Sequence, residues 1–453
     1  MADLTAFKAY DIRGRTPQEL DEDLAHKVGL AYANEFKPQG AVATGRDVRD
    51  TSPALQNALN RGLMDGGVDV VDAGLCGTET IYFASGEPGM AGGVMVTASH
   101  NPKGYNGLKP VGPKGMPLTG DKGLAVIKER ILKGNLRPAL RRGQLSARDF
   151  TTPMRDHFLH LCPPGELAKV KLVANPGNGC AGPTAKMLTD RIGLDVHWLH
   201  FDPDGEFPNG IPNPLLPENR PPTVAALRQT GAELAIAWDG DFDRCFFFDN
   251  QGTFIEGYYL VGLLAEAALR VHPGAAIIHD PRLFWNTQDL VGGLGGRAVL
   301  GRTGHAYIKE AMRHEDAVYG GEMSAHHYFR EFNYCDSGML PWLMVLRVLK
   351  ARGKGLGELV ADRMRKFPCS GELNFTVRDG ALALRAVEER WRPLASNESR
   401  VDGVSFEFAA GWRFNLRASN TEPLLRLNVE SRGNEPLMRE KTEEIAALIR
   451  GHA

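Results

Sequence analysis

Three carboxylates stand at alternate positions, Asp239, Asp241 and Asp243, followed at once by Arg244. They close an apolar run, 232–238, that follows Gly231 and predicts a short buried strand ending in an acidic turn. Alternate side chains project to one side if the backbone stays extended. Like charges held this close are costly unless a cation sits among them. Oxygen-only ligands favour a hard cation, magnesium before any soft metal. Arg244 adds a fixed positive charge that suits phosphate. An acidic surface turn has the same composition. A calcium EF-hand loop fits worse, because Arg244 stands where that loop needs glycine and Asn250 where it needs glutamate.

Three further stretches carry candidate chemistry. An expected strand at 92–96 runs into 97–107, a loop dense in turn residues that holds Ser99 and His100, with Lys109 just beyond. Adjacent residues are not expected to pair as nucleophile and base, and the G-x-S-x-G elbow of serine hydrolases is missing. Ser99 therefore also reads as a turn serine and Lys109 as a solvated lysine. The stretch 320–327 brings Glu322, Met323, Ser324, Ala325 and His326 to the end of another expected strand. Arg417, Ser419, Asn420, Thr421 and Arg426 supply guanidinium, hydroxyl and amide groups for a phosphate clamp, and equally for a hairpin loop. The glycine-rich turn 175–179 has neither a Walker lysine nor a G-x-G-x-x-G frame. A strand-to-helix turn is the better reading there than a phosphate cradle.

These loops need a scaffold. The 453 residues suggest two to four domains, and 43% hydrophobic with 24% charged residues is ordinary globular composition. A formal net charge of −2 offers no bulk attraction to nucleic acid or anionic membrane. The apolar run 258–271 is too short to span a bilayer and is interrupted by Glu266 and Arg270. No basic-then-apolar leader opens the chain, so no signal peptide is expected. Six scattered cysteines without C-x-x-C spacing read as reduced cytoplasmic thiols, and zinc is not expected. Strands and helices alternate through three segments of similar rhythm, with helices at about 21–35, 52–64, 183–191 and 258–270 and strands at 41–46, 68–71, 170–174, 275–279 and 297–301. The basic stretch 133–148 reads as a linker and 203–222 as an irregular loop. Beyond 367 the pattern changes to consecutive strands at 404–408, 412–416 and 424–429 between helices at 382–391 and 437–449, which predicts an antiparallel sheet with helices on one face.

Four motifs thus stand in one order: a serine loop, a carboxylate triplet with arginine, a Gly-Glu-Met-Ser-Ala-His loop and a basic hydroxyl-rich loop. Over essentially the whole chain this resembles the α-D-phosphohexomutase family, most of all its bacterial phosphomannomutase/phosphoglucomutase branch. The resemblance implies an α/β protein of three similar mixed domains and a C-terminal α+β domain like the TATA-binding protein, around a central cleft. The implied bounds are 1–147 with the serine loop, 148–253 with the metal loop, 254–367 with the sugar loop and 368–453 with the phosphate loop. It implies an isomerase that interconverts hexose 6-phosphate and hexose 1-phosphate, of mannose and also glucose, by way of a phosphoserine and a 1,6-bisphosphate intermediate. By resemblance, Ser99 carries the phosphoryl group and, with Asp239, Asp241 and Asp243, holds Mg²⁺. Arg13, Lys109 and Arg244 offset charge, and His100 and His305 handle the proton. Glu322 and Ser324 grip sugar hydroxyls. Arg417, Ser419, Asn420, Thr421 and Arg426 hold the phosphate that stays, and Tyr10, Arg282, Gly304, His305 and His326 complete the substrate contacts. The partners implied are a phosphorylated hexose, no nucleic acid and no membrane, in a chain able to act as a monomer.

Three departures from the family pattern are visible: Phe242 and Ala325 stand where relatives usually have glycine, and Arg282 where many have lysine. Two other readings use the same residues. One is a haloacid-dehalogenase-type phosphatase with Asp239 as the nucleophile, although Asp243 then replaces the expected Thr or Val. The other is a phosphosugar-binding protein without turnover.

Overall fold

The computed structural model describes residues 4–8, 10–118, 123–418 and 424–451. The chain divides into two compact units, Met1–Phe254 with Phe329–Gly353, and Ile255–Tyr328 with Lys354–Ala453.

In the first unit, six strands form a sheet in the order Ile12–Arg15, Tyr105–Val111, Met90–Val96, Ala41–Arg46, Val70–Leu75, Leu145–Ala147. Tyr105–Val111 is antiparallel to both neighbours, and the other pairings are parallel. The helices Glu22–Phe36 and Ser52–Asp65 cover this sheet with Leu24, Val28, Leu55, Leu59 and Leu63, packed against Val42, Val94 and Val96. Asp21 starts the first helix by accepting the Leu24 amide at 2.8 Å. The stretch read as a linker contributes Leu145–Ala147 to the sheet edge, a strand too short and too exposed to show a period. Tyr105–Val111 was likewise hidden from sequence, because Gly107 and Pro110 interrupt its pattern.

The second sheet of this unit has Cys245–Asp249, Leu234–Trp238, Lys171–Asn175 and Asp195–Trp198 side by side. Lys171–Asn175 is parallel to both neighbours, and Cys245–Asp249 turns back antiparallel to Leu234–Trp238. The acidic loop is therefore the tip of a hairpin whose two strands are wholly buried.

In the second unit, Arg297–Leu300, Ala276–His279, Tyr319–Gly321 and His327–Phe329 lie in that order. The first three are mutually parallel. The last sheet, Leu373–Thr376, Leu424–Ser431, Trp412–Ala418, Val404–Phe408 and Asn397–Ser399, is antiparallel throughout. Its helices Gly380–Trp391 and Glu435–Arg450 share one core with it, built from Val387, Trp391, Phe406, Phe414, Leu416, Leu427, Ile445 and Ile449. Among the described residues no helix is long and apolar enough to cross a membrane. All six cysteines are free thiols.

Candidate active site

The serine loop leaves the C-terminal end of the parallel strand Met90–Val96 and returns through Tyr105–Val111. Ser99 sits at φ 49°, a left-handed conformation that a serine rarely adopts. The Ser99 amide donates to Thr97 Oγ1 at 2.8 Å, and its hydroxyl donates to Asp239 Oδ2 at 2.8 Å. The approach depends on Gly240: a Cβ there would lie 2.6 Å from the Ser99 carbonyl oxygen. The glycine-rich turn lies behind the same loop, where the Cys180 amide donates to the Gly240 carbonyl at 3.0 Å. It supports the acidic hairpin as a strand-to-helix turn.

The three carboxylates are brought together. Asp239, Asp241 and Asp243 are buried and offer ligand oxygens within 4.8 Å of one another. Lys109 Nζ donates to Asp241 Oδ2 at 2.6 Å and to Asp243 Oδ2 at 2.9 Å. Arg244 holds Asp239 Oδ2 through Nε at 2.9 Å. Thr78 Oγ1 donates to Asp241 Oδ2 at 2.6 Å. Asp241 Oδ1 is buried with no hydrogen-bond partner. An orphaned carboxylate oxygen among buried acids is the donor set a hard cation completes, so these residues fit magnesium.

The electrostatics follow from burial and pairing. Burial, reinforced by Asp243 and Asp241 and opposed by Arg244, pushes the Asp239 carboxyl up to about 7. Burial and Asp243 press Asp241 upward too, but Lys109 and Thr78 outweigh them and hold it below its ordinary value. The Lys109 ammonium loses hydration, yet Asp241 and Asp243 raise its pKa. Burial, then the charges of Arg244 and Arg13, pushes the His100 imidazole well below its usual range, so it is neutral. The adjacent Ser99 and His100 side chains do approach, with Oγ 3.1 Å from Nδ1, because the left-handed Ser99 turns both to one side. Arg244 also contacts that nitrogen. Arg13, on Ile12–Arg15, donates to Asn101 Oδ1 at 2.7 Å and pairs with Asp11 at 2.6 Å, while Tyr10 is half-buried before that strand.

Phe242, one of the departures, has φ 44° and is fully buried. Its ring rests on the Gly77 backbone, where a Cβ would come within 2.1 Å of a ring carbon. The left-handed backbone explains why glycine is usual here, and ring burial explains how a phenylalanine is held.

The second unit gathers the other candidates. Arg282 follows the strand Ala276–His279 and is 2% exposed. Its Nε donates to Asp280 Oδ2 at 3.1 Å, and its guanidinium also contacts Glu372. Arg417 and Arg426 reach the same Glu372 carboxylate at 3.9 and 3.4 Å. Burial works against ionisation of Glu372, but Arg282, Arg426 and Arg417 hold its pKa below the usual carboxylate range. Glu322 Oε1 accepts the Gly304 amide at 2.7 Å and Oε2 the Tyr328 hydroxyl at 2.5 Å. Ser324 Oγ lies 3.1 Å from His326 Nδ1. Ala325 has φ 67°, again a left-handed residue where glycine is usual. His305 opens the helix His305–Glu315. Ser419, Asn420 and Thr421 lie outside the described residues.

Thr78, Asp280 and Glu372 were missed from sequence. Asp280 had one signal, a carboxylate at the end of an expected strand; Thr78 and Glu372 had none, since their roles come from partners far along the chain.

A hydroxyl beside buried carboxylates and cations, on mixed α/β sheets, is the equipment of a protein that handles phosphoryl groups with a hard cation. The chain matches the phosphoglucomutase/phosphomannomutase alpha/beta/alpha domains I, II and III over residues 4–137, 158–252 and 256–367, and the C-terminal domain over 372–448. It is 54% identical over 459 residues to a phosphomannomutase of Salmonella montevideo, covering 99% of this chain and 100% of the relative. Against the "Phosphohexose mutases" protein of Xanthomonas campestris pv. campestris, identity is 52% over 448 residues, covering 99% and 100%. The crystal structure of a phosphoglucomutase/phosphomannomutase family protein from Burkholderia thailandensis superposes with a TM-score of 0.89 at 30% identity, covering 100% of this chain and 98% of that one. The chain belongs to the phosphoglucomutase/phosphomannomutase family.

Proposed function

We propose that this hexose phosphate mutase works through Ser99 as the group that carries the phosphoryl in transit, with mannose and glucose phosphates as substrates. The protein is an isomerase that moves a phosphate between two positions of one hexose. In the proposed first half-reaction the Ser99 Oγ–P bond breaks as an O–P bond forms to the free sugar hydroxyl, whose proton passes by way of a neighbouring base to the released Ser99 oxygen. In the second half the other O–P bond of the 1,6-bisphosphate breaks, Ser99 is rephosphorylated and the proton returns to the released sugar oxygen. His100, neutral and beside Ser99, and His305 are the proposed proton handlers.

Asp239, Asp241, Asp243 and a phosphate oxygen on Ser99 would hold Mg²⁺, which when bound supplies positive charge to the transferring phosphoryl group. Arg13, Lys109 and Arg244 stabilise the same charge with fixed donors. Glu322, Ser324 and His326 read the sugar, with Tyr10 and Gly304. Arg282, Arg417 and Arg426 take the phosphate that stays, together with Ser419, Asn420 and Thr421. A grip on two ring hydroxyls that mannose and glucose share leaves C2 unread, which is the reason for dual activity. Four domains bounded at 147, 253 and 367, a cytoplasmic setting for six reduced thiols, and action as a monomer belong to the same proposal.

The observation that carries the reading is the 2.8 Å hydrogen bond from Ser99 to Asp239. Intact mass and peptide mapping after incubation with glucose 1,6-bisphosphate test it. Phosphate is expected on Ser99; phosphate on Asp239 would establish the aspartyl route instead. Side-by-side turnover of mannose 1-phosphate and glucose 1-phosphate tests the substrate range, and no turnover of either would leave only binding.

A further inference from the structure

Arg49 lies in none of the four motifs, yet it is 4% exposed and both its terminal nitrogens are directed at the serine loop. Nη2 donates to the carbonyl oxygens of Ser99 and Asn101 at 2.9 and 2.6 Å. Nη1 donates to those of Pro102 and Tyr105, both at 3.0 Å. The remaining nitrogen, Nε, faces Asp47 Oδ2 at 3.3 Å. Asp47 is itself fixed by the Arg49 amide at 3.0 Å and the Ser52 hydroxyl at 2.5 Å. The Phe207 ring, from the stretch read as an irregular loop, covers the guanidinium with its centroid 5.4 Å away. A guanidinium has five N–H groups in one plane, so a single side chain can gather four carbonyls. Those carbonyls belong to the segment in which Ser99 is held left-handed, a conformation that persists only where its surroundings impose it.

We infer that Arg49 is a positioning residue for phosphoryl transfer: it shapes the loop that presents Ser99 while touching neither sugar nor phosphate. The inference rests on the reading of Ser99 as the phosphoryl carrier. Lysine at this position keeps the charge but has three donors on a point-like ammonium, so it cannot hold the four carbonyls in their plane.

The test compares wild type, Arg49→Lys and Arg49→Ala as full-length protein. Turnover of glucose 1-phosphate, thermal unfolding and phosphate on Ser99 after mixing with glucose 1,6-bisphosphate are all followed. For Arg49→Lys, kcat is expected to fall about 100-fold, the cost of a misplaced reacting group. KM should stay within about threefold, because no substrate contact is removed. Methylguanidinium added to Arg49→Ala should restore kcat about tenfold by refilling the site with the planar donor set. Arg49→Lys turning over at the wild-type rate, with wild type phosphorylated on Ser99, would overturn this inference alone. Wild type phosphorylated elsewhere would overturn the Ser99 reading and this inference with it. A loss of kcat that merely follows the unfolded fraction, with no response to methylguanidinium, would make Arg49 a purely structural residue.

Discussion

Lys109 shows how much one side chain decides in the acidic hairpin. Its ammonium donates to two buried carboxylates, Asp241 and Asp243, at once. Removing one partner from a buried ionic group typically costs about 3–5 kcal/mol. Lys109→Met is therefore expected to lower the melting temperature strongly in EDTA, and the deficit should shrink when millimolar magnesium is added, because a cation relieves the same repulsion. A deficit independent of magnesium would contradict the pairing of these acids with a cation. At Phe242 two effects oppose each other. Phe242→Gly removes a left-handed strain of about 1–2 kcal/mol but also empties a ring-sized volume, which costs about 3–5 kcal/mol. The cavity wins, so the variant is expected to be less stable in denaturant unfolding despite restoring the residue usual in relatives.

Among the elements, the helix Thr78–Gly86 does most to brace the acidic hairpin. Its first residue holds Asp241 by side chain and by backbone, the Thr78 amide donating to the Asp241 carbonyl at 3.0 Å. Its second, Glu79, is fully buried and accepts from the Gly338 and Met339 amides, at 3.0 and 3.4 Å, just ahead of the helix Leu340–Arg352. Ser337 donates to the same oxygen. Burial nevertheless pushes the Glu79 carboxyl up to about 8 from an ordinary 4.5. With the folded value above the unfolded one, the stability tied to the neutral acid is complete below pH 4.5, is lost progressively as pH rises, and is gone above about 8. Glu79→Gln removes this titration. Its melting temperature relative to wild type should rise between pH 5 and pH 8 and then level off; a difference constant with pH would show that Glu79 is ionised in the fold.

On the scale of the whole molecule, the second compact unit holds strands of two sheets. In the second unit a buried pair joins them. Glu430, on Leu424–Ser431, contacts Arg413 and the Tyr258 hydroxyl and accepts the Trp285 amide at 3.1 Å. Arg413 in turn donates to the Pro281 carbonyl at 3.0 Å. Glu430 is thus one of the carboxylates through which the two sheets of this unit meet. Glu430→Gln leaves the Arg413 charge uncompensated, and about 3–5 kcal/mol of stability is expected to go with it in denaturant unfolding of the full chain. Retained stability would show that the Glu430 contacts do not hold the two sheets together.

What the sequence alone determined is local. Val404–Phe408, Ala41–Arg46 and the helix Gly380–Trp391 were legible because side-chain period and flanking turn residues are set by near neighbours. The order of four polar motifs was legible too, and with it the family, since motif chemistry is written in contiguous residues. Strands broken by glycine or proline, or only three residues long, left no period to read. The rest was decided by packing. Ser99 meets Asp239 across 140 positions, Thr78 meets Asp241 across 163, and Arg282 reaches Glu372 across 90. Arg49 shows no motif at all, and its four carbonyl acceptors exist only once the serine loop has folded back over it. Partners so far apart leave no periodic or spacing signal, because which side chains share a buried volume is fixed by how sheets and hairpins stack, and only that stacking turns scattered charges into a site.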